Sequence, residues 1–117
     1  MKIKLNQLFY GLNNKHEETV ITDSGSGEPL LLKWVIYNAL VTVPVGKQIS
    51  NDEKYKRGGM AKILENPTLS EWEVDSKEVT LIKECVGDIY PPYVVRIAWD
   101  MIEGTYVSPK KPAVTNG

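Results

Sequence analysis

The chain opens with a short stretch, from Lys2 to Tyr10, in which charged or polar side chains alternate with apolar ones. A period of two is typical of a half-buried strand. Residues Gly11 to Asn14 have turn chemistry, and Thr19 to Thr22 is a short β-branched run. We therefore expect the two segments to pair as a β-hairpin, followed by a flexible loop from Asp23 to Gly27.

The first predicted helix is the run from Leu30 to Val43, which contains no helix breaker. It follows Glu28 and Pro29, and both an acidic residue and a proline are tolerated where a helix starts. Its apolar residues are Leu30, Leu31, Leu32, Trp34, Val35, Ile36, Tyr37, Ala39, Leu40 and Val41. They cover most of the helical circumference, which predicts a helix at the centre of the core.

A second helix is predicted from about Asp52 to Leu64. Ser50, Asn51 or Asp52 can cap its first free amides, and Ser50 with Glu53 has the spacing of a capping box. Gly58-Gly59 weakens this helix, because each interior glycine costs about 1 kcal/mol relative to alanine. The glycine pair therefore marks either a break in the helix or a close packing contact.

Two further helices are predicted in the second half of the chain. Asp75 and Glu78 have capping-box spacing at the start of the third, and Gly87 is placed to end it in a left-handed conformation. Pro91-Pro92 opens the fourth helix, which runs to Glu103, and Gly104 is a natural terminator for it.

Taken together, these elements predict a mainly α fold of the α+β class, with an N-terminal β-hairpin packed on about four short helices. We expect one globular domain over residues 1–107, and a disordered tail over residues 108–117 because that segment is rich in proline and polar residues. The 42% hydrophobic and 25% charged fractions agree with a globular protein rather than a disordered one.

The net charge and the cysteine content indicate which partners and which cellular compartment to expect. The 15 acidic and 14 basic residues leave a formal charge of -1, which removes the overall positive field of most non-specific nucleic-acid binders. One cysteine excludes an intrachain disulfide and fits a reducing compartment. The first twenty residues have no signal-peptide pattern, and the apolar stretch from Pro29 to Val45 is interrupted and too short to cross a bilayer. We expect a cytoplasmic protein that does not enter a membrane.

Few residues carry candidate chemistry. His16 falls in the predicted hairpin turn, and Cys85 falls beside the apolar face of the third predicted helix. Most of the chain separates them, so no metal-ligand spacing and no pair of nucleophile and base is visible. The carboxylates lie on turns or polar helix faces, where solvation explains them. We expect no enzyme activity, no cofactor, and no catalytic or metal-binding residues.

One basic cluster in the second predicted helix combines Lys54, Lys56 and Arg57 with the ring of Tyr55. Such a surface can contact phosphates while stacking a base, which makes a DNA-associated regulator the second hypothesis for function. The cluster follows acidic residues directly, so an ordinary solvated helix face is the simpler interpretation.

The aromatic residues indicate a binding surface more strongly than the charges do, since three tryptophans and six tyrosines occur in a short chain. Trp72 lies in a short connector, Glu71 to Val74, and has less predicted core around it than Trp34 or Trp99. We therefore take Trp72 and Tyr55 as candidate partner-binding residues. The alternative is that Trp72 seals the junction between the second and third helices.

The sequence resembles a type of short, uncharacterised protein encoded in bacteriophage or prophage genomes. The resemblance is carried by LLLKWVIYNAL, ISNDEKYKRGGMAKI, VTLIKECVG and YPPYVVRIAWDMIEG, which lie within residues 30–104. These segments specify packing and caps rather than chemistry, so the resemblance transfers no functional residue. It implies a protein of the host cytoplasm with an adaptor, regulatory, assembly or host-inhibitory role. The first hypothesis is therefore a small interaction protein that binds a protein partner, or itself, without catalysis.

Overall fold

A computed structural model describes residues 1–23 and 25–108, so the predicted tail lies outside the described residues except for Ser108. The helices are α1 (Leu32–Val41), α2 (Asn51–Leu64), α3 (Ser76–Ile89) and α4 (Pro92–Glu103). The strands are β1 (Lys2–Lys4), β2 (Tyr10–Leu12), β3 (Glu18–Val20) and β4 (Glu71–Glu73). The predicted fold class, α+β with an N-terminal antiparallel hairpin and four helices, is confirmed. No helix in the described part of the chain is long and apolar enough to cross a membrane.

The hairpin consists of β2 and β3, with Tyr10 opposite Val20 and Leu12 opposite Glu18. Asn13 closes the loop between them, because its side-chain oxygen accepts hydrogen bonds from the amides of Lys15 and Glu17. The predicted turn at residues 11–14 was therefore placed too early: Gly11 and Leu12 belong to the strand, and the turn begins at Asn13.

The predicted first strand, residues 2–10, is not one strand. Its beginning, β1, pairs antiparallel with β4, and Ile3 lies opposite Trp72. Both side chains are buried, while the charged residues on either side of each point outward. This pairing joins two strands that are separated in the sequence by the hairpin and by two helices, so the local pattern did not reveal it.

Helix α1 begins at Leu32, two residues later than predicted. Its first amides are satisfied by main-chain carbonyls: Leu32 N–H donates to Gln7 O, and Lys33 N–H donates to Leu5 O, both at 3.0 Å. Leu30 lies in extended backbone and donates its N–H to Ile21 O at 2.9 Å. The N-terminal segment thus caps α1, and the predicted start at Leu30 was wrong because it assumed a local cap.

α1 also ends early, at Val41, because a β-branched run leads into Pro44 and the residue before a proline disfavours helix. Its inner side is the centre of the core, where Leu32, Val35, Ile36, Ala39 and Leu40 are at most 2% exposed. The helix contacts α2, α3 and α4. Its opposite side, with Trp34, Asn38 and Val41, is open to solvent, so the prediction of a helix at the centre of the core holds for its inner side only.

Two of the predicted caps are confirmed. Ser50 accepts a hydrogen bond from Glu53 N–H at the start of α2, and Asp75 with Glu78 forms a complete capping box at the start of α3. Gly104 ends α4 with φ 79°. Gly87, however, does not end α3, which continues to Ile89.

Lys33 is the buried charge that joins these elements. Its side chain is 4% exposed, and its Nζ donates to Asn66 O at 2.6 Å and to Leu69 O at 3.4 Å. No carboxylate in the described residues pairs with it. The carbonyl of Asn66 follows the C-terminal end of α2, where the helix dipole favours a cation. One ammonium therefore connects the start of α1 to the segment between α2 and β4.

We expect Lys33→Met to lower the free energy of unfolding by about 1–3 kcal/mol, because the carbonyls of Asn66 and Leu69 lose their buried donor. Urea unfolding followed by circular dichroism measures this change. The control is Lys77→Met, at an exposed position of α3. Equal stability of the two variants would show that the buried ammonium contributes nothing.

Candidate functional site

The three tryptophans differ in exposure. Trp72 is 6% exposed and packs in the core, opposite Ile3 of β1. Trp34 is 44% exposed, but its ring meets Tyr37 edge to face at 5.6 Å. Trp99 is 38% exposed, and its Nε1 donates to Lys83 O. The choice of Trp72 as a surface ring was therefore wrong, because every second residue of β4 faces the core.

The residues with candidate chemistry lie on different elements of the fold. His16 is exposed in the β2–β3 loop, with φ 60°. Cys85 is buried in α3, and burial raises the pKa of its thiol, an effect that the neighbouring Arg57 guanidinium only partly offsets. Within residues 1–23 and 25–108, no group of three or more His, Cys, Asp or Glu side chains forms a metal site.

The predicted basic cluster does not form one surface. Arg57 is 3% exposed, and its Nε and Nη2 donate to one oxygen of Glu53 at 2.9 and 2.5 Å. Arg57 was therefore a wrong choice as a phosphate ligand. Lys54 and Lys56 are exposed, but two helical steps separate them, so they point about 160° apart around α2.

Tyr55, unlike Arg57, is open to solvent. Its side chain is 87% exposed, and no ring contact or hydrogen bond to the other described residues holds it. It lies on the side of α2 that faces away from Met60, Ala61 and Leu64, which are buried. The same outer side carries Gly58, Gly59 and Lys62, and with Lys54 at its edge these residues line a shallow groove of about 470 Å³. We call these five residues the α2 outer face.

Gly58 and Gly59 have no packing role within the chain. A Cβ built on either glycine meets no heavy atom within 4 Å, and both residues are exposed. The helix also runs through them without a break. Neither of the two expected explanations therefore applies, although the glycines weaken the helix.

A second apolar surface adjoins this face. The segment after α1 exposes Val43 and Val45, at 41% and 106%. Lys54 connects the two surfaces, since it lines the α2 groove and also a neighbouring depression with Val43 and Ile49. Sequence reasoning missed this continuity because a loop's position relative to a helix is not a local property.

The charge on the α2 outer face is not neutralised internally. Lys54 and Lys62 form no ion pair with any other described residue, whereas Lys47 pairs with Asp88 and Arg57 with Glu53. The face therefore combines an exposed ring, bare backbone and two free ammonium groups. The spacing of Tyr55, Gly58, Gly59 and Lys62 could have identified it, because positions three and four apart share one side of a helix.

We expect Gly58→Ala and Gly59→Ala each to raise the free energy of unfolding by about 1 kcal/mol, because alanine favours helix and the added methyl group meets no atom. Thermal and urea unfolding of the two variants test this. Gly104→Ala is the contrasting control, since its φ of 79° strains any side chain and the variant should lose stability. A loss of stability in the α2 variants would show that the glycines serve the fold.

Comparison with known proteins adds no relative. No protein-family model, curated protein or solved structure matches the chain. The function has to be inferred from the surface of the molecule itself.

Proposed function

We propose that the chain is a small interaction protein, which acts without catalysis by binding a protein partner through the α2 outer face. The observation that carries the proposal is the combination of an 87% exposed tyrosine with two adjacent glycines that nothing inside the molecule explains. Tyrosine rings are common anchors of protein interfaces because they bury a large area with few rotatable bonds.

The glycines support contact with another chain. Without side chains at Gly58 and Gly59, a partner can approach the backbone of α2 closely, and the ring of Tyr55 can lie beside it. The helix loses stability to present this surface, as interaction and catalytic sites often do. The exposed Val43, in the depression that Lys54 also lines, extends the apolar area that a partner would cover.

The setting follows from the resemblance to short phage or prophage proteins. On that basis we propose that the protein works in the cytoplasm of a bacterial host, as an adaptor, an assembly factor or a modulator of a host protein.

We expect a benzophenone photocrosslinker at position 55 to give a defined protein adduct in nuclease-treated bacterial lysate, because this ring position would be covered by the partner. The matched control is position 93, where Tyr93 of α4 is 57% exposed. Mass spectrometry identifies the adducts, including any adduct with the chain itself.

A competition experiment tests whether the adduct at position 55 depends on the Tyr55 side chain. Excess unlabelled chain should suppress the adduct at position 55, whereas a Tyr55→Ala competitor should do so much less effectively. A Tyr93→Ala competitor should act like the natural sequence. Equal adducts at positions 55 and 93, or equal competition by both variants, would contradict the proposed surface.

A DNA-associated regulator is the alternative, and it now has only Lys54 and Lys56 of its three basic residues on the surface. It predicts retention on DNA at low ionic strength that weakens steeply with added salt, because released counterions drive such binding. A variant with both lysines changed to alanine should lose this retention. Absence of retention by the natural sequence at low salt would eliminate the alternative.

A further inference from the structure

We propose that the partner of the α2 outer face is a second copy of this chain, with the two α2 helices antiparallel about a two-fold axis between Gly58 and Gly59. This inference rests on the proposed function, because it names the partner of the same surface. Its basis is that the face is complementary to itself when one copy is reversed.

The first complementarity involves the ring and one ammonium group. Tyr55 lies three residues before Gly58, and Lys62 lies three residues after Gly59. In the antiparallel pair, Tyr55 of each copy therefore lies opposite Lys62 of the other. An ammonium over a tyrosine face is attractive, and the aliphatic stem of lysine covers the rest of the ring. The two-fold axis produces this contact twice.

The second complementarity involves the edges of the helices. Lys54 and Glu65 are eleven residues apart, about three helical turns, so they lie along the same edge of the face. Reversal brings Lys54 of one copy to within two helical steps, about 3 Å along the axis, of Glu65 of the other. Glu65 accepts a hydrogen bond from the Tyr37 hydroxyl, which leaves carboxylate lone pairs for an ammonium. Asp52 lies along the opposite edge and does not face Glu65 of the other copy.

The antiparallel pair gives Gly58 and Gly59 a role. Packed helices are usually 8–10 Å apart, and the side chains at the crossing point set this distance. With Gly58 and Gly59 at the crossing point, the axes can approach to the lower end of that range, which brings each Tyr55 within reach of the other helix. A two-fold contact uses the same patch on both copies, so one pair of glycines serves both sides.

The interface should be weak when measured alone. A helix of 14 residues is about 21 Å long, and a contact of that length buries an area in the lowest class of protein interfaces. We therefore expect a reversible, concentration-dependent dimer, to which Val43 in the neighbouring depression adds apolar contact.

Sedimentation equilibrium of the intact chain over about a hundredfold range of concentration tests the dimer directly. Lys54→Glu and Glu65→Lys, made singly, should each raise the dissociation constant at least about fivefold, because attraction at two symmetric contacts becomes repulsion. The double variant should restore the natural value. A parallel pair gives no such restoration, because the edge that carries Lys54 and Glu65 then faces the opposite edge of the other copy, which carries Asp52. Tyr37→Phe is the control for the hydrogen bond that Glu65→Lys also removes.

The variant Gly59→Leu distinguishes an effect on the interface from an effect on the fold of the monomer. A Cβ at position 59 meets no heavy atom of its own chain within 4 Å and the position is exposed, so the monomer should remain folded with equal or higher thermal stability. It should nevertheless abolish the dimer, because it separates the helix axes at the crossing point. Glu84→Leu, which adds the same side chain at an exposed position of α3, should leave the dimer intact.

A chain that is monomeric at every concentration overturns this inference. The proposed function then still stands if position 55 crosslinks to a different protein, and it fails if position 55 gives no specific adduct. A dimer whose dissociation constant is unchanged by Gly59→Leu and by the charge exchanges uses another surface. That result also overturns the inference.

Discussion

The buried ammonium of Lys33 is the constraint on which the arrangement of the chain depends. A charge that is 4% exposed has to be surrounded by hydrogen-bond acceptors, and here two main-chain carbonyls provide them. Those carbonyls belong to the segment that ends α2 and leads into β4. Satisfying one cation therefore fixes the distance between α1 and that segment, and it positions β4 where β1 can pair with it. The Lys33 ammonium also lies 5.4 Å from the centre of the Trp34 ring, so the outer side of α1 contributes to the same environment.

The features that could be predicted from the sequence are those in which neighbouring residues satisfy one another. The Asp75–Glu78 capping box, the Ser50 cap and the Gly104 terminator each use groups within a few residues, and each is confirmed. The features that were missed use distant groups. The carbonyls of Leu5 and Gln7 cap α1, and no pattern near Leu32 indicates them. Gly87 stays helical while the place of its missing Cβ lies 3.7 Å from the ring of Trp99 on α4, a contact that exists only in the folded chain.

The residues chosen for the candidate surface also divide into those that local sequence could place and those that it could not. Tyr55 was identified from residue type alone, and its exposure agrees with that choice. Trp72 and Arg57 were misplaced because residue type was given more weight than periodicity. Arg57 lies three residues before Met60 and seven before Leu64, on the buried side of α2, and Trp72 alternates with two exposed glutamates. Applied strictly, the helical and strand periods place both residues in the core. No local pattern could show that the glycines face open space rather than another part of the chain.

The pairing of β1 with β4 also determines the order in which the protein can be completed during synthesis. The first strand leaves the ribosome early, but its partner, Glu71–Glu73, is made only after α1 and α2. Until then β1 has an unpaired backbone edge, and α1 can already recruit the carbonyls of Leu5 and Gln7. The segment is therefore tethered beside the growing core before its strand partner exists. Such tethering shortens the effective loop that the final pairing has to close, and it holds the bare strand edge beside the core of its own chain while β4 is being made.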